Sequence, residues 1–138
     1  FLLGDGAMRK LILFTIIMGV SFGFGQLAMA DMATVDALKQ ALSGNTIEGK
    51  NRHGTPLRVL HATNGTTIFE LKSGGFSDRG KWWVKADGVV CYQWQKIGKG
   101  KERCNTNAHI DGEGRFVSTA VNGKTGKLKI LKGNQIDF

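Results

Sequence analysis

All three tryptophans, the only tyrosine and both cysteines of this 138-residue chain fall within residues 80–104, GKWWVKADGVVCYQWQKIGKGKERC. Aromatic rings interleaved with lysine and arginine can stack on sugars or bases while the cations attract the accompanying anions. The two cysteines have a different use. A redox-active pair usually has its thiols two residues apart, whereas Cys91 and Cys104 have twelve residues between them. In an exported chain this spacing predicts one structural disulfide, Cys91–Cys104, worth about 3 kcal/mol if chain entropy is its main effect.

Other residue types that do chemistry are present, but not in chemical arrangements. His53, His61 and His109 are far apart and show no metal-ligand spacing, so no metal site is expected. Asp111 and Glu113 lie in DGEG, which reads as a turn rather than an acid/base pair in a cleft. Ser43, Ser73, Ser77 and Ser118 lack the Gly-x-Ser-x-Gly elbow of a serine nucleophile. GKTG at 123–126 is a fragment of a phosphate loop without the required glycine spacing or strand-to-helix setting. No cofactor is called for, and nothing argues for an enzyme.

The elements that must position these residues are mostly strands. Alternating segments near 46–51, 57–62, 66–73, 80–86, 89–96, 102–110, 114–121 and 126–132 are separated by turn signals. Asn64-Gly65, Asp87-Gly88 and Asn122-Gly123 are the strongest of these, since tight hairpins require positive φ. Ahead of them, Met32, Val35, Leu38 and Leu42 recur at helical spacing. Thr34 is placed to cap that helix, about 34–43, Asp36 lies in its first turn, and Gly44 ends it. The fold class is therefore all-β with one short N-terminal helix. Its body is an antiparallel eight-stranded meander, closed or nearly closed as a small barrel of lipocalin-like architecture. An open or sandwich-like sheet is the alternative.

Hairpin register decides which rings face the core. A two-residue Asp87-Gly88 loop pairs Ala86 with Val89, and so places Trp83 opposite Tyr92 and Lys81 opposite Trp94. Directly opposed cysteines then place Arg103 beside Tyr92 and Lys101 beside Trp94. On this register Trp82, Val84, Cys91, Gln93 and Cys104 face inward. Lys81, Trp83, Lys85, Tyr92, Trp94, Lys101 and Arg103 share the outer face, because four cations cannot all be buried unpaired. That outer set is the candidate ligand-binding surface. The competing reading is cross-strand stabilisation without a ligand.

The N-terminus concerns destination. Arg9 and Lys10 precede the apolar run Leu11–Val20, and Ala28-Met29-Ala30 supplies the small residues of a cleavage site. These are the three parts of a secretory signal, with residues 1–7 upstream of the first methionine. Cleavage after Ala30 leaves 108 residues, one domain, and loss of Arg9, Lys10 and Asp5 changes the formal net charge from +8 to +7. The expected location is periplasmic or secreted, with no transmembrane span after cleavage. A basic exported protein suits an anionic glycan, a lipid head group or an acidic protein, and export argues against nucleic acid.

The segments LKQALSGNTIEG (38–49), Gly80-x-Trp82 and DGVVCYQW (87–94), with the second cysteine at 104, carry a resemblance. The chain resembles a group of small exported Gram-negative bacterial β-proteins of uncharacterised function, with a signal peptide, a Gly-x-Trp strand and a two-cysteine hairpin. The resemblance implies a periplasmic or secreted β-protein and transfers no catalytic residue. The first functional expectation is a non-catalytic binding protein for an anionic envelope or extracellular component. The alternatives are a carrier of a small apolar ligand inside the barrel and an inhibitor of a secreted hydrolase. For the carrier, Trp82, Val84, Phe69, Leu71, Leu128 and Ile130 are the expected interior.

Overall fold

The computed structural model describes residues 34–136 apart from Arg52. The expected signal peptide, its cleavage site, residues 1–7 and Met32 lie outside the described residues. Within them, residues 34–42 form the helix. Eight strands follow: β1 (Asn45–Lys50), β2 (Pro56–His61), β3 (Thr66–Leu71), β4 (Ser77–Val84), β5 (Val90–Trp94), β6 (Glu102–Ile110), β7 (Phe116–Thr119) and β8 (Thr125–Leu131). Each pairs antiparallel with the next, and β8 returns to β1 through Ile47↔Ile130, so the barrel is closed. Closure leaves no unpaired sheet edge, which rules out the open-sheet alternative.

The barrel has two different ends. The turns at 62–65, 85–89 and 111–115 share one end with the helix. Leu38 and Leu42, almost fully buried, belong to the same cluster as the inward side chains Ile47, Val59, Trp82, Val90, Tyr92 and Phe116. A helix of this length gains its stability from such docking, and here it closes the floor of the barrel. The connections at 51–55, 72–76, 95–101 and 120–124 surround the other end, the mouth. Residues 132–136 fold back over the outside of β1, where Thr46 Oγ1 donates to the Gly133 carbonyl and accepts from Gln135 N–H. Among the described residues no helix is long and apolar enough to cross a membrane.

The β4–β5 hairpin departs from the expected register by one residue. Its loop is Ala86-Asp87-Gly88: Gly88 N–H donates to the Lys85 carbonyl and Lys85 N–H to the Val89 carbonyl, both at 2.9 Å. Gly88 takes φ +79°, the left-handed position that follows a type I turn in a three-residue hairpin. Val84 therefore faces Val90, Trp83 faces Cys91, Trp82 faces Tyr92, and Gly80 faces Trp94. A one-residue slip moves every β5 side chain to the other face. Tyr92 and Trp94, expected outside, point into the barrel and are 7% and 8% exposed. Gln93, expected inside, is exposed. The cysteines pair as expected, Cys91 opposite Cys104 with Cα atoms 4.0 Å apart, but on the outer face with Trp83.

Gly80 explains the Gly-x-Trp pattern in packing terms. A side chain at 80 would collide with the Gln93 carbonyl oxygen, so the absence of a Cβ allows β4 and β5 to close above Trp82. A second irregularity lies in β6, where the pairing with β7 shifts between Thr106 and His109 and Asn107 adopts φ +51°. This bulge reverses the alternation along the strand. Arg103 and Asn105 line the barrel interior before it, and Ala108 and Ile110 pack into the core after it.

Candidate functional site

The barrel interior is not completely filled. A cavity of about 260 Å³ remains in its mouth half, between the Tyr92/Trp94 wall and Phe69, Phe116 and Leu128. Tyr92 and Trp94 stack with ring planes 7° apart and centroids 5.7 Å apart, and Phe69 meets Trp94 edge-on at 6.0 Å. These rings form a flat, rigid apolar face suited to an alkyl or aromatic group. Val121, 65% exposed in the β7–β8 turn, lines the cavity at the mouth.

Below the cavity lies a buried polar contact that the sequence did not single out. His61 Nε2 and the Tyr92 hydroxyl are 2.7 Å apart, and the Trp82 ring meets His61 edge-on at 5.0 Å. Trp82 is itself anchored by its indole N–H, which donates to the Ala62 carbonyl at 2.8 Å. His61 is fully buried, and burial lowers its pKa to about 3, with the Val59 backbone acting weakly in the opposite direction. The Tyr92 hydroxyl is pushed well above its ordinary range by the same desolvation. Both groups are therefore neutral at pH 7. The signal for His61 was its parity with Val59 on an apolar strand.

The mouth is held by Asp78, at the start of β4 and 5% exposed. Its Oδ2 accepts from the backbone N–H of Ile97 (2.8 Å) and Lys96 (3.0 Å), and its Oδ1 from Arg79 N–H. Burial alone would raise its pKa, but the N–H groups of Ile97, Lys96 and Arg79 outweigh it and hold the carboxyl below its usual range. Asp78 thus fixes the 95–101 connection, which carries Ile97 into the cavity wall. Replacing Asp78 by Ala should cost about 1.5–3 kcal/mol, the usual worth of hydrogen bonds to a charged group. Amide hydrogen exchange should accelerate at Lys96 and Ile97 first, and unchanged protection there would contradict this role.

The expected binding surface is divided by the barrel wall. Lys81, Trp83 and Lys85 are on the outside; Trp83 is half-buried beside Lys39 and Ser43, and Lys85 is paired with Glu102 at 3.2 Å. Tyr92 and Trp94 are inside, and Lys101 is exposed at the mouth. Arg103, expected on the outer face, lines the cavity with them. Of the expected interior, Phe69 and Leu128 line the cavity, Trp82, Val84 and Ile130 pack in the core, and Leu71 is partly buried. Cys91, Cys104 and Glu102 are close enough to suggest a metal set, but the two sulfurs are bonded to each other and offer no thiolate.

Compared with known proteins, the chain matches no family model, no curated protein and no solved structure.

Proposed function

We propose that this protein is a non-catalytic binding protein, exported to the periplasm or beyond, that holds a small and mostly apolar molecule inside its barrel. The observation that carries this reading is the aromatic-walled cavity at the mouth. The space is a cup that opens at the mouth onto solvent, and its walls are mostly apolar against the water molecules that enter it. A space of about 260 Å³ has room for about nine. Apolar walls hold such water poorly, and a ligand that displaces it gains about 25 cal/mol for each Å² of apolar surface removed from solvent. The Cys91–Cys104 disulfide suits an oxidising compartment, which supports the export part of the reading.

The test combines recovery and obstruction. Native mass spectrometry of protein purified from its source should show a retained small molecule or, after stripping, uptake of an apolar probe that alters Trp94 fluorescence. Ala120, half-buried in the cavity wall at the mouth, gives the blocking variant. Ala120→Trp should reduce probe uptake at least tenfold while leaving the circular dichroism spectrum unchanged. A clean apo mass together with no uptake of any apolar probe would refute the reading.

A further inference from the structure

We infer that the molecule held in the cavity is a monoanionic amphiphile of about ten non-hydrogen atoms, with its apolar body among the rings and its anionic head on Arg103. This rests on the proposed small-molecule binding and adds the ligand's charge and size. Three polar side chains line the cavity: Tyr92, Asn105 and Arg103. Two are already engaged, since the Tyr92 hydroxyl meets His61 and the Asn105 amide donates to Ser118 Oγ at 3.3 Å. The Arg103 guanidinium has no ion pair or hydrogen bond among the described residues, whereas Arg58 holds Glu48 and Arg115 holds Asp111.

The position of Arg103 is built rather than incidental. Its side chain lies against Gly98, where an added Cβ would be 2.9 Å from Arg103 Cδ, and Gly98 takes φ +65°. The Gly98 segment is the one fixed by Asp78. No acidic side chain lines the cavity, and Lys96, Lys99 and Lys101 are exposed along the same connection. A guanidinium at the rim of an apolar cup selects a planar anion, because carboxylate can accept two parallel N–H bonds from it. The lysines add a field that draws anions to the mouth. The space for about nine water-sized groups sets the size.

Octanoate and octan-1-ol are the probes, matched in chain and differing in the charged head. Isothermal titration should show octanoate binding at least about tenfold tighter than octanol, consistent with a charge-assisted contact. Added salt should weaken only the acid. Arg103→Gln should abolish the preference, so that octanoate and octanol bind the variant with equal affinity; its exposed position makes loss of folding no obstacle. Equal affinities in the unaltered protein, or a preference that survives Arg103→Gln, would overturn the anionic-head inference while the cavity reading stands. Failure of both probes to bind would overturn this inference, and if joined by a clean apo mass and no uptake of any other apolar probe it would overturn the cavity reading as well.

Discussion

Phe116→Ala should remove about 3–5 kcal/mol of stability, the usual cost of deleting a fully buried phenylalanine side chain. Phe116 is 0% exposed, opposite Leu128 on β8 and Ile110 on β6, so its ring sits where three strands meet. Domains of this size have only about 5–15 kcal/mol in total, and the variant should be close to unfolding at physiological temperature. Urea titration would read the loss as a lower midpoint at unchanged slope. The same ring lines the cavity. Its removal should therefore enlarge the binding space rather than create a separate void. A longer amphiphile such as dodecanoate should stabilise the variant more than the parent, because a ligand bound only by the folded state raises stability by mass action. A loss below 1 kcal/mol would mean that the ring is not packed as described.

Strand existence, strand order and the disulfide were legible in the sequence because they depend on local signals. Alternation and Asn-Gly or Asp-Gly turns mark strands and their ends. A meander of eight short strands has few ways to cover its edges. The helix was equally readable from Leu38 and Leu42. Which face a side chain occupies was less so, because it depends on counting residues through a turn. Asp87-Gly88 suits a two-residue loop and equally a three-residue loop with glycine in the left-handed position; the protein uses the second. That one residue carries Tyr92 and Trp94 from the surface to the interior and leaves Trp83 outside.

The Asn107 bulge has the same character. Asparagine accepts a positive φ, but nothing in CNTNAHI requires it there, and without it Ala108 and Ile110 would face the wrong way. Arg103 was noticed as a cation, but its place inside the mouth follows only from the corrected register together with Gly98. Asp78 was missed because β4 begins at Ser77, before its apolar residues start. The cavity itself is a difference between enclosed volume and side-chain volume. Neither term is visible until register and bulge are both known.

Acid should destabilise the protein before its carboxylates titrate, and His61 is the reason. Its pKa is about 6.5 in an unfolded chain and about 3 in the barrel. Between those values the unfolded state binds the extra proton, so stability falls as pH falls, at up to about 1.4 kcal/mol per unit. The contribution is complete above pH 6.5, and about 2 kcal/mol should be gone by pH 5. Glu48, Asp78 and Asp111 also have lowered pKa values, and their contributions are lost only as pH drops through the carboxylate range, below about 4.5. The interval from 6.5 to 5 therefore isolates the histidine. His61 cannot relieve its protonation by rearrangement: it is fully buried, with Nε2 against the Tyr92 hydroxyl and the Trp82 ring edge-on beside it. Urea midpoints at pH 7, 6 and 5 should fall for the parent, while His61→Gln, which retains a hydrogen-bonding group toward Tyr92, should remove that slope. Midpoints that stay level in the parent across this interval would show that the imidazole is hydrated, and that the floor beneath the cavity is open to water.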